Sequence, residues 1–218
     1  MRKLNGWIAV LTLALLGFGS AHAGEEENLL VFVGEKMSVA EFKPELPPNT
    51  VMMDAVFKAK FRVRQVVYGR YDDEVIEFDA YDHFGVPGFA EYPHSLLFVL
   101  RQDDGFVQLK YQYVPVFRTR SGEWNGCGPV RNRDDQGRRY LAKAQPVAFA
   151  EEAYLRLSPE RPRELDAKSY PRRDFRIEGD RAYCLTGSSL RELFELKKQA
   201  ALKDEGWFGG NGAAPGSR

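Results

Sequence analysis

The chain has 218 residues, 31 Lys+Arg against 31 Asp+Glu, 44% hydrophobic and 13% aromatic side chains, and 2 cysteines. That length holds one sizeable core, and a net charge of zero provides no overall field to gather nucleic acid or an anionic membrane. The aromatic richness favours an aromatic-filled β core over disorder.

Residues 1–23 read as a secretory signal peptide. Arg2 and Lys3 form a basic start, Trp7 to Phe18 is apolar, and Ala21-His22-Ala23 presents small residues at the cleavage-reading positions before Gly24. The apolar run is about a dozen residues, short of the roughly 20 that span a bilayer, so cleavage is expected to leave no stable membrane anchor. The exported product, periplasmic or secreted, is a single β-rich domain with a helical C-terminal extension over 24–208, followed by a disordered tail over 209–218. Removing Arg2 and Lys3 leaves it slightly acidic.

After Glu25-Glu26-Glu27, Leu29 to Gly34 is a short apolar run ended by glycine and predicts a buried first strand. Pro44, Pro47 and Pro48 then mark a loop between Lys43 and Thr50. From Asp54 to His83 the pattern is a hairpin. Ala55, Phe57, Ala59, Phe61 and Val63 alternate with Val56, Lys58, Lys60, Arg62 and Arg64, and after a turn at Gly69 to Asp73 the residues Ile76, Phe78 and Ala80 alternate with Glu77, Asp79 and Tyr81. Placing Tyr68 opposite Asp73 sets Val63 against Phe78 and Phe61 against Ala80 inside, and Arg62 against Asp79 and Arg64 against Glu77 outside. The stripe Lys58, Lys60, Arg62, Arg64 has the look of a polyanion site, but the facing carboxylates make it a charged solvated face.

His83 to His94 is a loop by its Gly and Pro content, and Ser95 to Leu100 is a continuous apolar run that predicts a strand buried on both faces. Across an Asp103-Asp104-Gly105 turn, Val107, Leu109, Tyr111 and Tyr113 alternate with Gln108, Lys110 and Gln112. Pro115 is expected to stop the pairing or to mark an edge. Arg131 to Arg139 reads as a solvated loop, Phe149 to Leu157 as a short helix, and Phe175 to Leu185 as a last hairpin around Glu178-Gly179-Asp180. The C-terminal helix opens on a capping box, Ser189 with Glu192, and puts Leu190, Leu193, Phe194, Leu196, Ala200 and Ala201 on one apolar face. Lys197 within that face must snorkel and Leu202 falls off it. Gly206 ends the helix, and Trp207-Phe208 fold back onto the body.

Cys127 and Cys184 are an isolated pair in an oxidising compartment and are expected to form one disulfide. A zinc site wants four ligands, and His83 and His94 would have to complete it from unrelated segments, so no metal or cofactor is expected. The same two histidines could serve as a general base beside Asp82 or Glu91, but no Gly-x-Ser-x-Gly turn, free thiol or His-Glu-x-x-His accompanies them. Tyr111, Tyr113 and Trp124 with Arg118 and Arg120 have the composition of an interface anchor, although tyrosines in such a strand also fill cores.

Sequential hairpins, a terminal amphipathic helix and one disulfide describe a mostly β protein, a small OB-like barrel. Val31-Phe32-Val33-Gly34, Phe61-Arg62-Val63-Arg64-Gln65-Val66-Val67-Tyr68-Gly69 and Leu96-Leu97-Phe98-Val99, together with the strands between them, cover about a third of the chain. They resemble the bacterial branch of the netrin-like, tissue-inhibitor-of-metalloproteinase-like fold, an OB barrel with terminal helices. The resemblance implies a secreted binding or inhibitory module. Family inhibitors chelate the target zinc with an amino-terminal cysteine; the expected terminus here is Gly24, so that activity does not transfer. The expectation is therefore a non-catalytic module that binds a protein or an envelope component and no nucleic acid, with a periplasmic hydrolase using the His83/His94 loop as the alternative.

Overall fold

The computed structural model describes residues 28–45, 50–129 and 143–208. The expected signal peptide, the charged segment 131–139 and the tail 209–218 lie outside the described residues.

Five strands form a ring: β1 (Leu29–Phe42), β2 (Ala55–Tyr68), β3 (Val75–Asp82), β4 (His94–Gln102) and β5 (Gly105–Arg118). β1 pairs antiparallel with both β2 and β4, β2 with β3, and β4 with β5; a parallel bridge from Asp79 of β3 to Val107 of β5 closes the circuit. The sheet continues from β5 through β6 (Trp124–Cys127) to β11 (Thr186–Ser189) and the short β7 (Gln145–Pro146). A second sheet joins β8 (Tyr154–Arg156), β10 (Arg181–Cys184) and β9 (Phe175–Glu178), with helix α1 (Arg163–Ser169) beside it.

The apolar runs of β1 and β4 are buried on both faces because two cores flank them. Leu30, Phe32, Leu97 and Val99 point into the ring, where they meet Phe57, Phe61, Ile76, Phe78 and Phe89. Leu29, Val31, Val33, Leu96 and Phe98 point outward and are covered by helix α2 (Leu190–Gln199), whose Leu193, Phe194 and Leu196 pack with Trp124, Leu202 and Trp207. Each fully buried side chain of this size contributes about 1.5–3 kcal/mol over its exposed state. A third cluster, Tyr92, Phe117, Leu155, Tyr170, Phe175 and Ala182, holds the second sheet against the ring, and the Cys127–Cys184 disulfide crosses it.

Several expectations are corrected. The β2–β3 hairpin has the expected faces but a different register: Phe61 opposes Ile76, Lys60 opposes Glu77 and Lys58 opposes Asp79. The Val63 N–H already bonds to the Glu74 carbonyl, so the turn takes up more chain than expected and pairing slides by four residues. An even slide leaves every side chain on its own face, which is why the in-out pattern survives. β1 does not end at Gly34 but runs on to Phe42; a Cβ at Gly34 would lie 2.8 Å from Phe61 and 2.9 Å from Phe32, so this glycine admits close packing.

Pro115 does not stop β5, and it pairs with Ser95. β5 instead breaks its alternation earlier. Leu97 opposes Tyr113 and Val99 opposes Gln108, five steps on one strand against two on the other, so residues 109–112 bulge and Tyr111 takes a left-handed φ of 65°. Gln108 and Gln112 are consequently buried. The segment 149–157 is not helical: Phe149 bridges to Thr119, and 154–156 is strand β8. The C-terminal helix breaks at Ala200 and resumes as α3 (Ala201–Asp204), which turns Leu202 inward to full burial. Lys197 is also buried rather than snorkelled to water. The capping box, the terminating Gly206 with φ 94°, and the docking of Phe208 on Tyr68 and Phe194 are as expected.

Candidate functional site

Ala55 pairs with Asp82, so the β1–β2 loop and the loop after β3 emerge at the same end of the ring. The Phe84 N–H donates to Asp82 Oδ1 at 2.8 Å, a turn that throws the Phe84 ring into solvent. His83 Nδ1 lies 3.2 Å from the Met53 carbonyl and 3.5 Å from Asp54 Oδ1. Lys110 Nζ reaches Asp54 Oδ2 at 2.7 Å, and that hydrogen bond holds the ammonium above its ordinary range. The bulge on β5 places Tyr111 beside this group, its ring 6.1 Å from Phe84 and 5.2 Å from the Lys110 ammonium.

The result is an exposed apolar surface. Phe84 is 87% exposed, Val51 85%, Met53 78% and Val86 69%. Large side chains left this open together, next to a tyrosine held at positive φ, are the informative kind of exposure. Chain position alone could not single them out, because Phe84 and Val86 sit in a Gly- and Pro-rich loop with no periodicity.

From the Phe84 and Tyr111 rim a cleft of about 500 Å³ runs along β5 to Pro115, faced by Leu193 and Lys197 of α2 and by Ala201 and Glu205. Its size suits a drug-sized ligand or a short peptide. Gln112 lines it: the Gln112 Nε2 donates to Glu205 Oε1 at 2.9 Å, while its buried Oε1 has no partner among the described residues.

Of the residues expected to form a binding anchor, the structure brings Arg118 and Trp124 together but does not gather the set on one surface. Tyr111 is at the exposed rim, but Tyr113 turns toward Phe89, with ring centroids 6.1 Å apart. Trp124 is only 4% exposed and belongs to the core under α2, with the Arg118 guanidinium over its ring at 4.1 Å and the His94 ring tilted against it at 4.7 Å. Arg118 also donates to the Gly122 carbonyl, and Arg120 is exposed nearby. The helix supplies what the local pattern lacked: a partner surface that claims Trp124 as core.

The two histidines have different surroundings. His94 is half-buried opposite Glu35 on β1, and its burial lowers its pKa against the opposing pull of Glu35 and Glu151, with Arg64 and Arg118 adding to the lowering. It lines a smaller cavity of about 150 Å³ with Glu91, Tyr92, Glu151 and Tyr154. No group of three or more ligating side chains among the described residues is arranged to hold a metal ion.

The basic stripe is neutralised, though by other carboxylates than expected. Lys58 pairs with Asp79 at 2.5 Å, Lys60 with Glu77 at 2.6 Å, Arg62 with Glu74 at 3.1 Å, and Arg62 and Arg64 share Glu35. Burial would raise the Glu35 carboxyl, but the Arg64 and Arg62 guanidinium groups outweigh it and hold the pKa low.

Comparison with family models, with curated proteins and with solved structures returns no match, so the site is read from its own chemistry.

Proposed function

We propose that this protein is an exported, non-catalytic binding module that contacts a partner protein or envelope component through the apolar end of its ring. The observation that carries this reading is the joint exposure of Val51, Met53, Phe84, Val86 and Tyr111 on two loops and a bulge anchored by Asp54 and Asp82. Large apolar side chains form the centre of contact surfaces, where burying one can be worth about 2 kcal/mol or more. The ring order β1-β2-β3-β5-β4 with parallel β3 and β5 supports an OB-like reading, and OB folds bind through the β2–β3 face and the loops beside it, the β1–β2 loop included. The disulfide and the signal-like residues 1–23 support export. No helix among the described residues is long and apolar enough to cross a membrane.

The hydrolase reading has the approach of His83 to Asp54 in its favour. It also needs a nucleophile, and the described contacts of His83 are to Met53, Asp54 and Phe84.

The test is cross-linked capture from the native envelope by the wild type and by the double variant Phe84→Ser/Val86→Ser. Both side chains are solvated, so the variant should keep its melting temperature while losing the partner. Undiminished capture by the variant would reject the surface. Trp124→Ala is not a test of binding: it empties a buried site and should destabilise by about 3–5 kcal/mol.

A further inference from the structure

We propose that the apolar end of the ring is a membrane-contact surface: the tips formed by residues 50–53 and 83–87 enter the boundary between lipid headgroups and acyl chains and hold the exported protein reversibly at the envelope. The proposal rests on the binding reading above and names the envelope component as lipid.

Three observations favour lipid over a folded partner. The first is the way the side chains project. Val51, Met53, Phe84 and Val86 are between 69% and 87% exposed, on two loop tips joined where His83 Nδ1 lies 3.2 Å from the Met53 carbonyl. Protein interfaces pack as densely as protein interiors, so a folded partner must offer a shaped pocket to each projecting side chain. Acyl chains are fluid and close around each one without any preformed pocket.

The second is the charge pattern. Residues 50–53 and 83–87 contain no Asp, Glu, Lys or Arg, and His83 is their one titratable side chain. The carboxylates that flank the tips are both satisfied: Asp54 by Lys110 Nζ at 2.7 Å, with His83 alongside, and the buried Asp82 by the Phe84 N–H. Neither tip therefore carries an unpaired carboxylate or ammonium into lipid, the cost that otherwise opposes insertion. A protein interface is instead surrounded by a polar rim, and the polar side-chain groups of these tips are the Thr50 hydroxyl and the engaged imidazole. The face of β2 is ionic by contrast, with Lys58, Lys60, Arg62 and Arg64 each paired to a carboxylate, so the apolar tips cap a charged barrel.

The third is what stands beside the tips. The half-exposed Tyr111 holds its ring 6.1 Å from Phe84, and Lys110 precedes it in the chain. Tyrosine and lysine settle at the headgroup level, with the ring or methylene stem in the apolar zone and the hydroxyl or ammonium toward water. The chain has no net charge and the tips have no Lys or Arg, so the contact is apolar partition rather than attraction to anionic headgroups.

The experiment is co-sedimentation with vesicles of phosphatidylcholine, with and without phosphatidylglycerol. It uses the oxidised protein beginning at Gly24, the expected product of export, which lacks the apolar residues 7–18. Binding to both compositions is expected, changing less than about twofold with salt and falling about tenfold or more in Phe84→Ser. Leu165→Ser, at a 44% exposed leucine on α1 beside the second sheet, should change nothing. In Phe84→Trp the emission should shift to the blue on vesicles and be quenched by brominated acyl chains, over a constant background from the buried Trp124 and Trp207. Unchanged melting temperatures in the three variants separate these effects from unfolding. Absence of wild-type binding, binding that requires phosphatidylglycerol, or equal loss in Leu165→Ser overturns the lipid surface. If vesicle binding fails while envelope capture still falls in Phe84→Ser/Val86→Ser, the partner is a protein and the apolar surface stands. Failure of both overturns both readings.

Discussion

Reducing the disulfide should weaken the protein by about 2–4 kcal/mol. Cys127 and Cys184 are 57 positions apart, with their Cα atoms separated by 5.3 Å, and the bond ties β6, which extends the first sheet beyond the ring, to β10 of the second sheet. Closing a loop of that length removes conformational entropy from the unfolded chain worth about 4 kcal/mol at 25 °C, an upper value because unfolded chains are already partly compact. Chemical reduction leaves side-chain volumes almost unchanged, so it isolates the cross-link from the cavity that alanine substitution would add in the cluster around Phe175. The assay is urea unfolding of the oxidised and reduced protein, with hydrogen exchange read in parallel. The second sheet is held by this bond, one small core and contacts such as the Arg156 N–H to the Tyr92 hydroxyl, far less than buries β1 and β4, so its amides should lose protection before theirs. A stability difference below about 1 kcal/mol, or ready labelling of both thiols in the unreduced denatured protein, would refute the reasoning.

Gly128 has φ 67°, and a Cβ there would lie within 2.8 Å of two ring atoms of Phe175; Gly122 has φ 87° and open space around it. Gly128→Ala should therefore cost about 2–4 kcal/mol and Gly122→Ala only about 1 kcal/mol, with equal losses in thermal unfolding contradicting the packing argument. His94 has a pKa below its ordinary 6.5, from burial first. Below pH 6.5 the unfolded chain takes up a proton that the folded chain resists, so this residue's contribution is intact above that pH and declines as pH falls toward the folded value. Subtracting the urea-unfolding profile of His94→Gln from that of the wild type should show this decline; a flat or opposite difference would be wrong for a buried neutral imidazole.

Period and punctuation determined much of the molecule without reference to distant contacts. The alternation in β2 and β3 assigned every side chain to its face, because the pleat sends neighbours to opposite sides whatever strand lies next to them. The unbroken run of β4 implied burial on both faces and that of β1 a buried strand, Ser189 and Glu192 set the start of α2, and an isolated cysteine pair implied the bond that is present. Tertiary structure decided the rest. Register in the first hairpin depended on the length of a turn and on Glu35 of β1 collecting Arg62 and Arg64, neither of which local pattern contains. Trp124 became core because α2, far along the chain, covers it, and Phe84 remained outside because Asp82 turns its loop outward. The bulge at Tyr111 arose where β5 must serve β4 on one edge and pass from β3 to β6 on the other. A side chain's face follows from the local geometry of its own strand; what covers that face is set by segments distant in sequence, and so the candidate site emerged only when the chain was folded.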